Sequence, residues 1–113
     1  DEIKRGFYRA FRVIGESMSY DGRKSIDEGD IVTGRNINRA FWKSKLHYKK
    51  WDAFVIVTKE RILIKKIIAH DVERGIITCQ SNNTDKEKYP DFNISLDDVQ
   101  EIFNVTKVEK DWQ

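Results

Sequence analysis

Ser17 raises the question of chemistry in this chain. It stands in "FRVIGESMSYDG", residues 11–22, where an apolar run stops at Gly15 and a hydroxyl follows two positions later. A nucleophilic serine needs exposure at a strand end, backbone N–H groups aimed at a developing oxyanion, and a base. Gly15 permits close approach of the backbone, and the turn after it can gather the amides of Ser17 and its neighbour at one point. A serine in such a turn is also an ordinary structural residue that hydrogen-bonds its own backbone. Taken alone, the spacing leaves both readings open.

The base is the second requirement. His47 and His70 sit in or beside basic stretches and fall into no triad pattern. In "RILIKKIIAH", residues 61–70, the adjacent pair Lys65 and Lys66 interrupts an apolar run. Successive side chains of a strand take opposite faces, so one of the two lysines must point inward. A lysine in an apolar site loses hydration of its charged form; its pKa falls, and the neutral amine can accept a proton. That is what a Ser–Lys dyad requires. The alternative is that both lysines snorkel to solvent at a sheet edge.

Other groupings are weaker. His47 and His70, even with Asp71, match no metal-ligand spacing. "SNNTDKEKYPD", residues 81–91, offers oxygen donors without the spacing or glycine of a calcium loop and reads as a solvated loop. Neither a metal nor a cofactor is expected. Trp42, Tyr48 and Trp51 lie among lysines, as on a base-stacking surface. Packing is the commoner use of such rings.

The elements that must position these residues read as short strands. "AFRVIG" (10–15) and "DIVTG" (30–34) end at glycines. "WDAFVIVT" (51–58) and "RILIKKIIAH" (61–70) flank a tight hairpin at Lys59 and Glu60, and "GIITCQS" (75–81) completes a three-strand meander. "SLDDV" reads as a helical turn in which Ser95 accepts from the amide near Asp98 while Asp98 reaches back. "EIFNVTKVE" (101–109) is a last strand whose alternation slips, as a bulge would make it. A short helix is expected within 38–46. The fold class is mainly β and compact, with one or two short helical turns.

With 113 residues the chain makes a single domain, 1–113, and 39% apolar with 35% charged residues is ordinary for a soluble globular protein. Its 21 basic and 19 acidic residues leave a net charge of +2, which argues against a strongly basic nucleic-acid surface. Cys79 is the only cysteine, so neither an internal disulfide nor a cysteine zinc site is available and a reducing compartment is expected. No run approaches membrane-span length and no secretory signal is present, giving a cytosolic expectation with no membrane partner. The chain starts at Asp1 and its one methionine is Met18, so an upstream part is expected.

"VIGESM", then "GDIV", "FVIV" and "ILIKKI" in this order resemble the C-terminal peptidase domain of LexA-type repressors, a family that includes phage repressors and the UmuD proteins. The resemblance covers residues 11–108. It implies Ser17 as nucleophile, Lys65 as general base with Lys66 as its basic neighbour, and the amides of Glu16 and Ser17 as oxyanion donors. Gly29 and Asp30 match a structural "GD" turn. It further implies that the domain cuts its own linker to an upstream helix-turn-helix domain, at a bond that would lie before Asp1. A homodimer, often built through the C-terminal strand (here 101–109), goes with it, although a core strand is the alternative. DNA would be met only through the upstream domain, and in SOS-linked members a recombinase filament on single-stranded DNA favours cleavage. Many members carry Ser or Thr two residues before the lysine, where this chain has Leu63, so a catalytically silent dimerisation module of the same fold is the competing expectation. Signal-peptidase-like cleavage of other proteins, which uses the same dyad, is more distant.

Overall fold

The structure is a computed structural model that describes residues 7–111. Alternation within "FVIVT" explains its centre. Phe54 and Ile56 point to one face of a strand and Val55 to the other, and all three are buried, so that strand must be covered on both sides. It is β3 (Phe54–Thr58) of seven: β1 (Tyr8–Arg12), β2 (Ile31–Asn36), β4 (Ile62–Asp71), β5 (Ile76–Gln80), β6 (Phe92–Ser95) and β7 (Val99–Glu109) complete the set. They form one antiparallel sheet in the order β1-β2-β7-β3-β4-β5-β6. The only helices among the described residues are two 3-10 turns, Arg39–Lys43 and Leu96–Asp98. The mainly β expectation holds.

Two cores lie on the two faces. One gathers Phe54, Ile56, Leu63, Ile67, Ile77, Cys79 and Ile102 under Trp42, Leu46 and Tyr48. The other packs Phe11, Val13, Met18 and Ile26 against Val32, Val55 and Phe103. Each large side chain so buried stabilises the fold by roughly 1.5–3 kcal/mol before entropy is counted. Cross-strand pairing places Lys65 opposite Phe54 and Leu63 opposite Ile56, so these two alternate side chains of β4 follow the face of the first core.

The β3–β4 hairpin turns at Lys59 and Glu60 as expected: the Thr58 amide donates to Arg61 O at 2.8 Å, and Thr58 Oγ1 accepts from the amides of Glu60 and Arg61. The slip read in the last strand is a bulge. Thr33 pairs with Lys107 but Gly34 with Val105, which leaves Thr106 as the extra residue. A second irregularity faces β3, where Val57 pairs with Glu101 and Thr58 with Val99. Strand β7 lies inside the sheet, bonded to β3 over Val99–Asn104 and to β2 over Phe103–Glu109, so most of it is a core strand. Two local readings need correction. Strand β6 was not expected: it follows directly on the loop of residues 81–91, and its Phe92 and Ile94 pack against the first core. Ser95 caps the second 3-10 turn by accepting from Asp97 N at 3.2 Å rather than from Asp98.

Candidate active site

The turn that carries Ser17 is fixed by the "GD" turn beside it. The Gly29 amide donates to Val13 O at 2.9 Å and Val13 N donates to Asp30 O at 2.8 Å, which locks the end of β1 to the start of β2. Gly29 has φ +93° and Gly15 φ +85°, left-handed conformations that strain any residue with a Cβ. Gly15 N donates to Glu28 Oε1 at 3.1 Å. The chain thus reverses at Gly15 and leaves Ser17 half-buried on the far side, with Met18 anchored in the second core.

Asp30 is the structural residue expected of it. Burial pushes its carboxyl up, yet hydrogen bonds from Lys110 Nζ and from the amides of Asp27 and Asp111 outweigh that and hold its pKa below the usual carboxylate value. Lys110 also bonds Asp27, and with the Ser25 and Ser19 hydroxyls it lowers that carboxyl to about 2.

Lys65 is the inward lysine and Lys66 the outward one. Lys65 is 8% exposed, and it stands where β4 leaves β3 and joins β5: Lys65 pairs with Phe54, Lys66 with Gln80. Its Nζ donates to Ser81 Oγ at 2.8 Å, and among the described residues it makes no salt bridge. Burial lowers its pKa, and the charges of Arg61 and Lys86 push the same way. A thiolate at Cys79 would oppose this, but burial raises that thiol to about 12, so it is uncharged at neutral pH.

Ser17 and Lys65 line the same cavity, about 210 Å³, together with Phe11–Ile14 and Ile62–Ile64. The sheet has an open edge there, because β5 pairs with β4 only from Lys66 onward. The amides of Glu16 and Ser17 donate to no protein acceptor among the described residues. Leu63 is buried in the apolar core, and the hydroxyl that meets the lysine comes instead from Ser81, just past the end of β5.

Ser81 was missed in the sequence, although Ile77, Cys79 and Ser81 follow one inward alternation that could have found it. Asn83 was missed as well. Its amide donates to Ser17 O at 2.9 Å and its Nδ2 to Glu16 O at 2.9 Å, so the segment taken for a solvated loop clamps the Ser17 turn from outside.

The other candidates lie elsewhere. His70 is buried; its Nδ1 accepts from Leu46 N at 3.1 Å, burial lowers its pKa, and it anchors the segment above the first core. His47 is exposed. Trp42 packs in the first core and donates from Nε1 to Ile37 O, and Tyr48 is buried with it. Among the described residues no cluster of His, Cys, Asp and Glu could hold a metal ion, and no helix is long and apolar enough to cross a membrane. Comparison with protein-family models, curated proteins and solved structures finds no match for the chain.

Proposed function

We propose that this chain is a Ser–Lys peptidase domain of the LexA-like kind, acting on its own linker to an upstream DNA-binding domain. The observation that carries the reading is the shared cavity: Ser17 and a buried Lys65 with no salt bridge among the described residues both line it, far apart in sequence. A lysine needed only for stability would be paired with a carboxylate or sent to solvent, because burying an unpaired charge is costly. An amine that burial makes readier to lose its proton can serve as a base.

The chemistry follows from these groups. Ser17 Oγ attacks the scissile carbonyl carbon while its proton passes to Lys65 Nζ. The carbonyl oxygen becomes an oxyanion that the amides of Glu16 and Ser17 can receive. Lys65 then returns the proton to the departing amine, leaving an ester on Ser17, and next takes a proton from the water that hydrolyses it. The Ser81 hydroxyl orients the amine. The open edge of β4 between Ile62 and Lys65 offers backbone groups to an extended substrate segment running past Ser17. Because the substrate is tethered, effective concentration replaces a deep binding cleft.

The setting that goes with this reading is the cytosol, which the lone buried Cys79 suits. Dimerisation would use the exposed end of β7, residues 106–109, where β3 no longer pairs. DNA, and any recombinase filament, would act through the whole regulator. The second reading, a silent dimerisation module, rests on Leu63 and is weakened by Ser81, which brings a hydroxyl to the amine from another strand.

The test is intact mass over time, from neutral to alkaline pH, on a chain that carries the upstream linker, beside Ser17→Ala and Lys65→Ala. One cut before Asp1 in the parent and none in either variant is the expected result. An uncut parent at every pH, also with activated recombinase filament present, would leave the dimerisation module.

A further inference from the structure

The segment from Asn38 to Trp51 roofs a second cavity of about 350 Å³ that shares no residue with the first. Its lining includes Lys45, His47 and Lys50 and contains no acidic side chain. Lys45 Nζ stands 5.6 Å from the Tyr48 ring and Lys50 Nζ 5.5 Å from the Trp51 ring, and neither lysine makes a salt bridge among the described residues. Two ring surfaces, Phe41 (49% exposed) and the half-buried Trp51, also line it.

Asn104 supplies the independent observation. It is a lining residue, 5% exposed, and its Nδ2 is buried with no hydrogen-bond partner. It lies on β7 between Arg35 of β2 and Phe54 of β3, in the middle of a sheet whose neighbouring inward positions are apolar. An unpartnered buried donor destabilises a fold, and an apolar residue would fill the same place without that cost. A donor kept there has a use when something supplies the acceptor.

We propose that this cavity binds a small aromatic anion of mononucleotide size. Its acceptor oxygen or ring nitrogen takes the Asn104 Nδ2 proton, its flat ring lies against Phe41 or Trp51, and its phosphate or carboxylate meets Lys45 and Lys50. The volume falls at the small end of ligand pockets, about 300–1,000 Å³, which suits one nucleotide and excludes a folded partner. The inference does not depend on the Ser–Lys reading.

The experiment is calorimetric titration of the domain with the four ribonucleoside 5′-monophosphates, with the Asn104 side-chain amide followed by NMR. Adenosine, inorganic phosphate and a short single-stranded oligothymidylate are the comparison probes. Expected is saturable binding of at least one monophosphate, about tenfold tighter than the nucleoside or phosphate alone, with a shifted Asn104 amide signal. Asn104→Leu should abolish that binding while melting no lower than the parent. Lys45→Glu with Lys50→Glu, both exposed, should weaken it by about tenfold or more and serves if Asn104→Leu fails to fold. No saturable binding into the millimolar range, or binding that neither variant alters, would overturn the proposal. So would an oligothymidylate that binds more tightly than every monophosphate and is not displaced by them, since this marks a nucleic-acid surface instead.

Discussion

Asp30 and Lys65 are both almost wholly buried, at 2% and 8% exposure, and their surroundings treat charge in opposite ways. Asp30 receives an ammonium and two backbone amides, enough to keep its carboxylate ionised against the burial that opposes it. Lys65 receives one neutral hydroxyl, with two further cations acting on it. The first arrangement ties the "GD" turn to the C-terminal segment and is structural. The second discourages charge on an amine that lines one cavity with the Ser17 hydroxyl, at a cost to stability. One side chain holds the fold together; the other is held by it.

Substitutions should separate the two. Under the Ser–Lys proposal, Ser17→Ala and Lys65→Met should each lower the self-cleavage rate by about a hundredfold or more, because a nucleophile and its base act as a unit. Lys65→Met should at the same time keep or raise the urea midpoint, since it replaces a poorly compensated buried amine with an apolar side chain of similar length. Asp30→Ala should do the reverse. It loses charge-assisted hydrogen bonds and leaves two amides unsatisfied, costing about 2–4 kcal/mol in urea unfolding. A Lys65→Met variant that unfolds more readily than Asp30→Ala would break the distinction.

The pH dependence sharpens it. Asp27 and Asp30 have lowered pKa values in the folded state, so their stabilisation is present above the unfolded value of 3.8 and is lost as pH falls through the folded values, about 2 for Asp27. Lys65 is also lowered, from 10.5, but it is a cation. The unfolded chain therefore holds the lysine proton to higher pH, and folding is penalised below the unfolded value. Stability gains from Lys65 as pH rises from its folded pKa toward 10.5, whereas cleavage with Lys65 as base should rise as pH approaches the folded pKa and level off above it. Urea midpoints across pH, with and without Lys65→Met, check both signs.

Smaller effects are expected from the supporting residues. Ser81→Ala should slow cleavage by about tenfold and move the rate limb to lower pH, because the charged amine loses its acceptor. A shift to higher pH would contradict that role. Asn83→Ala removes the side-chain hydrogen bond that holds the turn at Glu16 and a second one accepted from Asp85 N, and a cleavage rate lower by about two- to fivefold with a stability loss of about 1–2 kcal/mol is expected.

Local order was legible in the sequence. The hairpin at Lys59 and Glu60, the opposite faces of Lys65 and Lys66 and the bulge in β7 all follow from alternation and turn chemistry between near neighbours. The site's assembly was not. Strand β7 enters between β2 and β3, Asn83 reaches back to Ser17, and Ser81 meets Lys65 across β5 and β4. These are contacts between segments far apart in the chain, which periodicity cannot register. The loop that starts at Ser81 reads as solvated because its side chains are polar, yet Ser81 and Asn83, two of its first three residues, carry hydrogen bonds for the site.

The most direct measurement is the rate at which Ser17 of the domain is phosphonylated, with loss of fluoride, by a small serine-directed fluorophosphonate, followed by intact mass and peptide mapping across pH. A Ser17–Lys65 dyad gives a single adduct on Ser17, formed faster as pH rises through a limb below that of ordinary lysine, and almost none in Lys65→Met. An adduct that forms equally fast in Lys65→Met, or none on Ser17 at any pH, would contradict it.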